Sequence, residues 1–160
     1  MPGREAGARG HLVVREATAV DLDAILALMV QDARSPTTPT STVATPRQRA
    51  ALTELVADPS HQVLVGELEG TVVATAHITW LRMLSADGGL YCQVENVRTD
   101  EAHRGRGLGG ELMAWIETAA RDRGAARIQL TTNRSRLDAH RFYERLGYEP
   151  SHLGMKKYLT

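Results

Sequence analysis

A glycine-rich run lies between a segment with the apolar pattern of a β-strand and a segment with helical periodicity. It reads Arg-Gly-Arg-Gly-Leu-Gly-Gly and covers residues 104–110. Glycine reaches backbone angles that are barred to other residues, so consecutive N–H groups in this run can turn towards one anion. The helix that follows adds the positive end of its dipole at the same point. The sequence therefore predicts a strand–loop–helix unit that binds phosphate, and a pyrophosphate suits such a loop.

Two phosphate-binding motifs overlap in this run. The G-x-G-x-x-G pattern of dinucleotide-binding folds and the pattern R-x-x-G-x-G are both present, the first at Gly105, Gly107 and Gly110 and the second at Arg104, Gly107 and Gly109. The dinucleotide fold needs this loop after its first strand and a carboxylate about 20 residues later. Several strands are predicted before the loop, and the strand after it ends in Leu-Thr-Thr-Asn, without a carboxylate. The context disfavours a nicotinamide-dependent oxidoreductase.

Length and charge restrict the class of protein further. A chain of 160 residues is long enough for one domain and too short for two comfortable ones. A formal net charge of zero, with 24% charged residues, argues against binding to nucleic acid or an anionic membrane by bulk charge. No apolar run approaches a membrane span or a secretion signal. We expect a cytoplasmic protein with a flexible tail over residues 1–10 and a single domain over 11–160.

The order of predicted elements favours a mixed α/β domain. Strands are predicted at residues 11–16, 63–68, 72–84, 91–98, 128–132, 148–150 and 152–159. Helices are predicted over 18–34, 47–57, 108–124 and 137–146. Thr18, with Asp21 three residues later, is typical of a capping box at the start of the first helix. A largely antiparallel sheet of about seven strands with helices on both faces accommodates this order.

Together with Asn133 and the run at 142–148, the R-x-x-G-x-G motif resembles the GNAT superfamily of N-acetyltransferases. The resemblance extends from residue 12 to residue 158 and is strongest over 94–148. It implies a GNAT-like fold, the binding of acetyl-coenzyme A and transfer of its acetyl group to an amine. It also implies a homodimer. The sequence shows no metal-ligand spacing, and no metal is expected.

The resemblance assigns pyrophosphate binding to the glycine-rich loop. Its backbone amides would enclose the diphosphate, and Arg104 or Arg106 would add charge-assisted hydrogen bonds. A turn that only caps a helix would carry similar glycines, and this alternative stays open. The residues assigned to this part of the site are Arg104, Gly105, Arg106, Gly107, Leu108, Gly109 and Gly110.

The strand before this loop completes the predicted donor site. In the family this strand carries a bulge and separates from its neighbour. By resemblance, the amide of Val97 would face the thioester carbonyl, and the backbone of Arg98 and Thr99 would pair with the pantetheine arm like an added strand. Nothing in the sequence itself indicates the bulge.

Polar residues near the end of the following strand also match the family. Asn133 corresponds to the asparagine that bonds the pantetheine chain, and His140 is a candidate contact for the adenosine phosphates, with simple solvation as the alternative. Three nearby arginines are candidates for the ribose phosphate or for an ordinary solvated face, and none is assigned: Arg134, Arg136 and Arg141.

Acetyl transfer to an amine needs a base for the amine and an acid for the departing thiolate. Glu95 is the candidate base, because a carboxylate on an otherwise apolar strand is unexpected; a salt bridge, a substrate contact or a water acting as the base remain alternatives. Tyr143 is the candidate acid, matching the tyrosine that many family members direct at the sulfur. Its place on an apolar helix face is also explained by core packing.

The acceptor is less defined by the sequence. The Ser-, Thr- and Pro-rich residues 35–46 form either an acceptor lid or a disordered connector. Glu95 and the segment 154–158 resemble glucosamine-phosphate N-acetyltransferases, but transferases for amino acids, polyamines and protein amines share nearly as much. We therefore predict an N-acetyltransferase for a small-molecule or protein amine. The alternative function is a non-catalytic module that binds or senses acyl-coenzyme A.

Overall fold

The computed structural model describes residues 10–159, so the predicted N-terminal tail lies, except for Gly10, outside the described residues. The strands are β1 (Val13–Glu16), β2 (His61–Leu68), β3 (Thr71–Arg82), β4 (Leu90–Thr99) and β5 (Ala125–Leu130). The helices are α1 (Leu22–Val30), α2 (Pro46–Ala57), the four-residue turn α3 (Ser85–Gly88), α4 (Leu108–Asp122) and α5 (Leu137–Arg145). Up to the end of α5, the elements follow the predicted order, with bounds that differ by a few residues.

The strands form one sheet in which they lie side by side in chain order. β1 to β4 are antiparallel, and β5 runs parallel to β4 after the crossover through α4. The prediction of a mixed, largely antiparallel sheet is confirmed. The strand count was wrong, because within residues 10–159 the sheet has five strands rather than about seven.

The strands predicted at 148–150 and 152–159 are not formed in the described structure, where irregular chain follows α5. The apolar side chains that suggested them have no face to cover: Leu153 is 69% exposed and Met155 is 89% exposed. An added strand needs such a buried face to be stable. Alternating apolar residues predicted strands here because a sequence pattern cannot show whether its apolar side meets a partner.

Side chains that alternate along the strands form two apolar layers, one on each face of the sheet. On the side that we call the α4 face, helices α4 and α5 cover a layer that includes Leu64, Ile78, Val94, Leu112 and Ile116. On the opposite side, the α1 face, helices α1 and α2 cover a layer that includes Val63, Val65, Ile25, Leu26 and Leu52. Helices on both faces are therefore confirmed.

The predicted capping box lies at the start of a short helical turn, Ala19–Asp21, that leads into α1. Asp21 accepts a hydrogen bond from the Thr18 amide at 2.7 Å, and its two carboxylate oxygens receive Arg15 at 2.8 and 2.9 Å. The hydrogen bond from Arg15 is the main reason that the pKa of Asp21 lies below its ordinary value. This partly buried ion pair holds the start of α1 against β1. Beyond the other end of the helix, Gln31 donates to Asp100, just after β4, at 2.8 Å.

Candidate functional site

The glycine-rich loop connects β4 to α4 after a short helical turn at Glu101–His103. Gly105 and Gly107 have φ angles of +75° and +84°, and Gly107 is the N-cap of α4. These angles lie in the left-handed region, which costs a residue with a Cβ atom about 1–2 kcal/mol. A Cβ atom at either position would meet nothing within 4 Å. Glycine is required here by the backbone angle and not by lack of space.

The amides of this loop are directed away from the helix. Among backbone groups of the described residues, none accepts a hydrogen bond from the amides of residues 105–110; the first bond of α4 runs from the Glu111 amide to the Gly107 carbonyl at 3.0 Å. Leu108 is buried and anchors the loop in the core. Consecutive N–H groups at a helix N-terminus are suited to binding an anion.

Other residues of the motif fix the loop to its neighbours. A Cβ atom on Gly109 would lie 3.3 Å from Cζ of Phe142, so this glycine lets α4 approach α5 closely. Arg104 donates through Nε to the Thr99 carbonyl at 3.3 Å and is thereby turned back towards the end of β4. Arg106 is exposed. The predicted loop residues thus lie together at the start of α4.

Strand β4 separates from β5 halfway along its length. The two strands pair from Leu90 to Val94, where Val94 lies opposite Leu130, and β5 then ends while β4 continues to Thr99. On its other side β4 bulges against β3, and Asn96 has a φ of +54°. The bulge and the separation that the family resemblance implied are both present. The edge of β4 that faces β5 is therefore open from residue 95 to residue 99, a region that includes Val97 and Arg98.

Tyr143 approaches this open edge from α5. Its ring packs edge-on against Phe142 and Tyr148, with centroids 5.0 and 5.8 Å away. Burial raises the pKa of Tyr143 above its ordinary value, and the charges of Arg136 and Arg98 oppose that rise. The phenol is therefore protonated at neutral pH, and it is a weaker acid than an unperturbed tyrosine.

Glu95 reaches the same region from the α1 face. Its Oε1 accepts a hydrogen bond from Gln93 Nε2 at 2.9 Å, and Gln93 in turn accepts one from Gln129 at 2.7 Å. The charge of Glu95 contributes, as the smallest of the named causes, to the raised pKa of Tyr143. Glu95 in β4 and Tyr143 in α5 thus belong to two neighbouring elements, and their roles as base and acid stay predictions.

Asn133 and His140 lie in and beyond the loop between β5 and α5. The Asn133 side-chain oxygen accepts hydrogen bonds from the amide and hydroxyl of Ser135, both at 2.9 Å. His140 Nε2 lies 3.0 Å from the Asn133 carbonyl oxygen. Asn133 therefore shapes its own loop as an Asx turn, and contact with a bound donor remains a prediction for both residues.

A charged cluster beside the open edge was missed by the sequence interpretation. Asp32 lies just after α1. One of its carboxylate oxygens lies 2.5 Å from Arg34 Nε, and the other lies 3.1 Å from Arg136 Nε. Burial acts to raise the pKa of Asp32, but the hydrogen bond from Arg34 and the charge of Arg136 outweigh it and hold the pKa below its ordinary value. The only sequence signal was the local density of arginines around Arg136, because Asp32 is distant in the chain.

Two segments meet beside this cluster: one connects α1 to α2, and the other follows α5. The hydroxyls of Ser35 and Tyr158 lie 3.4 Å apart. At its far end the first segment is anchored, because Ala44 is buried and Thr45 accepts a hydrogen bond from the Gln48 amide at 3.2 Å at the start of α2. Residues 35–46, predicted as a lid or a connector, thus approach the segment after α5 at one end and lead into α2 at the other.

The chain matches the model of the Acetyltransferase (GNAT) family over residues 26–148. It therefore belongs to the GNAT family of acetyltransferases, and the resemblance read from the glycine-rich loop is confirmed. A Salmonella typhimurium protein named aminoalkylphosphonate N-acetyltransferase is 50% identical over 56 residues. That match spans 35% of this chain and 36% of the length of the relative.

Two solved structures illustrate the similarity of fold. A protein from Bacillus halodurans described as a transcriptional regulator is 32% identical, with a TM-score of 0.87, and the match covers 93% of this chain and 100% of that one. Glucosamine-6-phosphate N-acetyltransferase from Arabidopsis thaliana is 19% identical, with a TM-score of 0.78, covering 93% of this chain and 99% of that one. At the lower identity the likeness concerns the fold alone.

The family implies acetyl-coenzyme A as the donor, and the residues present fit it. The outward amides at the start of α4 suit a diphosphate, and the open edge of β4 suits an amide-bearing arm that pairs like a strand. Within residues 10–159, side chains that could ligate a metal ion form no cluster. Over the same range, each helix is too short or too polar to cross a bilayer.

Proposed function

We propose that this protein is an acetyl-coenzyme A-dependent N-acetyltransferase that acetylates a primary amine by direct attack on the thioester. The observation that carries the proposal is the separation of β4 from β5 directly before the amide-lined start of α4. A phosphate-binding turn and an unpaired strand edge, joined in this order, accommodate the two ends of a coenzyme A thioester.

The roles of the loop and strand residues follow from this arrangement. The amides of residues 105–110 bind the diphosphate, with Arg106 free to approach it and Arg104 released from Thr99 to do the same. The backbone of residues 97–99 pairs with the pantetheine arm, and Asn133 and His140 contact the donor from the β5 side.

The chemistry divides between main chain and side chains. When bound, the donor supplies an acetyl group activated as a thioester. The Val97 amide, displaced by the bulge, donates a hydrogen bond where negative charge develops on the carbonyl oxygen. Glu95 accepts a proton from the acceptor ammonium, directly or through water, and Tyr143 delivers a proton from its hydroxyl to the departing sulfur.

The acceptor enters on the α1 face, between residues 35–46 and the segment after α5. We propose a small-molecule amine as the acceptor, because the partial Salmonella relative is named for such a substrate. Amino-sugar phosphates, amino acids, polyamines and protein amines are the classes to compare.

We also propose a homodimer, supported by the exposed apolar residues Leu153, Met155 and Leu159.

The test is release of free thiol from acetyl-coenzyme A across a panel of amines. The proposed function requires turnover with at least one amine and its loss in Glu95→Gln. Glu117→Gln, at a half-buried carboxylate of α4 that pairs with Arg121 at 3.4 Å, is the matched control and should retain activity. Acetyl-coenzyme A binding without thiol release from any amine would contradict the proposal.

A second function is favoured by one observation. The Bacillus halodurans structure that matches along its full length is described as a transcriptional regulator. In that case the donor site would report acyl-coenzyme A without turnover. Calorimetry with acetyl-coenzyme A, beside the thiol assay, distinguishes the two functions, since the sensing module binds the donor and releases no thiol.

A further inference from the structure

The arginine cluster, which we define as Arg34, Arg98 and Arg136, carries more positive charge than its surroundings balance. Asp32 is the carboxylate that contacts it, and that group already binds Arg34 on one oxygen and Arg136 on the other. The neighbouring carboxylate of Asp100 is engaged elsewhere, by Gln31 at 2.8 Å and by His103. Two guanidinium groups therefore contact Asp32, and the charge of a third, Arg98, also acts on its pKa.

Arg98 is the least satisfied member of the cluster. Its Nε is buried and has no hydrogen-bond partner among residues 10–159, while Nη1 donates to the carbonyl of neighbouring Val97 at 3.0 Å. Burial, and next the charge of Arg136, lower the pKa of Arg98. A buried guanidinium that donates mainly to its own strand and is repelled by a second one is costly, and an anion between them would remove that cost.

The cluster lies where the acceptor must approach. Arg98 belongs to the open part of β4, three residues after the predicted base, and it sits opposite Thr75 on the α1 face. Arg136 comes from the loop between β5 and α5, and its charge, like that of Arg98, acts on the Tyr143 hydroxyl. An anion held here would be close to both predicted catalytic groups. The start of α4, where the diphosphate is expected, is supplied by different residues.

We propose that Arg34, Arg98 and Arg136 bind an anionic group, a phosphonate, phosphate or carboxylate, carried by the acceptor amine. The inference rests on the proposed function and adds the substrate class to it. Asp32 holds the arginines in place until the anion arrives and competes with it for Arg34 and Arg136. Selectivity for anionic amines then comes from the guanidinium forks, which match the oxygens of such groups.

Binding is tested first without turnover. Methylphosphonate, which carries the anion and no amine, is titrated calorimetrically into the protein in the absence of donor. We expect the affinity to fall about tenfold to a hundredfold in Arg136→Gln, the range for a lost charge-assisted hydrogen bond. It should be unchanged in Arg121→Gln, an exposed arginine on α4. Equal binding by Arg136→Gln and the unaltered protein would overturn the inference.

A second variant, at Asp32, should change the affinity for methylphosphonate in the opposite direction. Asp32→Asn removes the competing charge, so methylphosphonate should bind more tightly than to the unaltered protein. A merely structural cluster would give weaker or equal binding. Circular dichroism on both variants confirms that each is folded, and the contrast in sign between Arg136→Gln and Asp32→Asn does not depend on either variant alone.

Turnover is compared among 2-aminoethylphosphonate, β-alanine and 3-amino-1-propanol, which differ chiefly in the charge opposite the amine. Both anionic amines should exceed the neutral one in kcat/KM, and the ratio should fall about tenfold or more in Arg98→Gln. Equal turnover of all three would overturn the inference and leave the proposed function intact. Methylphosphonate binding with no thiol release from any amine would instead overturn the proposed function. A loss of acetyl-coenzyme A affinity as large as the loss of methylphosphonate affinity would assign the arginines to the donor.

Discussion

The proposed donor side and the proposed acceptor side of the open edge of β4, called below the donor side and the acceptor side, consist of different chemical groups. The donor side is main chain: outward amides after Gly107 and an unpaired strand edge around Val97. The acceptor side consists of side chains from distant segments, with Asp32 after α1, Arg98 in β4 and Arg136 before α5. One side therefore depends on backbone angles and the other on the balance of buried charge.

Because of this difference, the two sides should tolerate different substitutions. A main-chain site survives most side-chain substitutions but fails where a glycine angle is lost. A charge cluster survives backbone adjustment but changes with every charged residue in it. The predicted base, Glu95, and the predicted acid, Tyr143, lie in β4 and α5.

The largest effect on catalysis is expected from a substitution where the two sides meet. Tyr143→Phe should lower kcat by about a hundredfold to ten-thousandfold, because general acid catalysis typically contributes that much. Tyr148→Phe is the matched control, since this phenol packs on Tyr143 and its buried hydroxyl has no partner among the described residues. Steady-state kinetics measure both variants. A Tyr143→Phe enzyme as fast as Tyr148→Phe would remove the proton donor from the mechanism.

The next effect concerns the layer that supports the donor side. Ile116 is fully buried between α4 and the sheet, so Ile116→Ala should lower the free energy of unfolding by about 2–5 kcal/mol. Val20→Ala, at a site that is 87% exposed, should change it by less than about 0.5 kcal/mol. Urea denaturation measures both. If the two variants lost similar stability, the α4 face would not be the packed support that the structure indicates.

The donor side was predictable from the sequence because its determinants are contiguous. The glycines of the loop, the buried Leu108 and the helix that follows lie in one run, so a local pattern was enough to predict a glycine loop that leads into α4. Phosphate binding by this loop stays a prediction. The capping box at Thr18 and Asp21 was predictable for the same reason. Backbone conformation and helix capping are decided by residues a few positions apart.

The acceptor side was not predictable because its contacts join residues far apart in the chain. No local pattern pairs Asp32 with Arg136, and the bulge at Asn96 follows from pairing with β3 rather than from its own sequence. The strands predicted after residue 147 failed because Leu153 and Met155 meet no partner within the described chain. Periodicity reports an apolar side, and tertiary packing decides whether that side is used.

Two glycine substitutions on the donor side should have smaller effects on stability. They distinguish a requirement for the backbone angle from a requirement for space. Gly107→Ala should cost about 1–2 kcal/mol of unfolding free energy, because a residue with a Cβ atom is strained at a φ of +84°. Acetyl-coenzyme A affinity should fall with it. Gly110→Ala, in the helix with open space around it, should instead stabilise the fold by about 0.5–1 kcal/mol. Thermal denaturation reports the sign of each change, and destabilisation of equal size would refute the dependence on backbone angle.

The smallest effect should be a pH dependence of the stability, caused by a histidine near the acceptor side. His77 Nε2 lies 3.0 Å from His61 Nδ1, and Glu95 is its cross-strand neighbour in β4. Burial, and next the charge of His61, lower the pKa of His77. The unfolded chain therefore binds a proton more readily than the folded one, so this group's contribution to stability is lost as pH falls below the ordinary histidine pKa of about 6.5. Urea denaturation at several pH values should show a shallower loss in His77→Gln than in the unaltered protein. Parallel curves would mean that His77 titrates alike in both states and that the acceptor side gains no pH dependence from it.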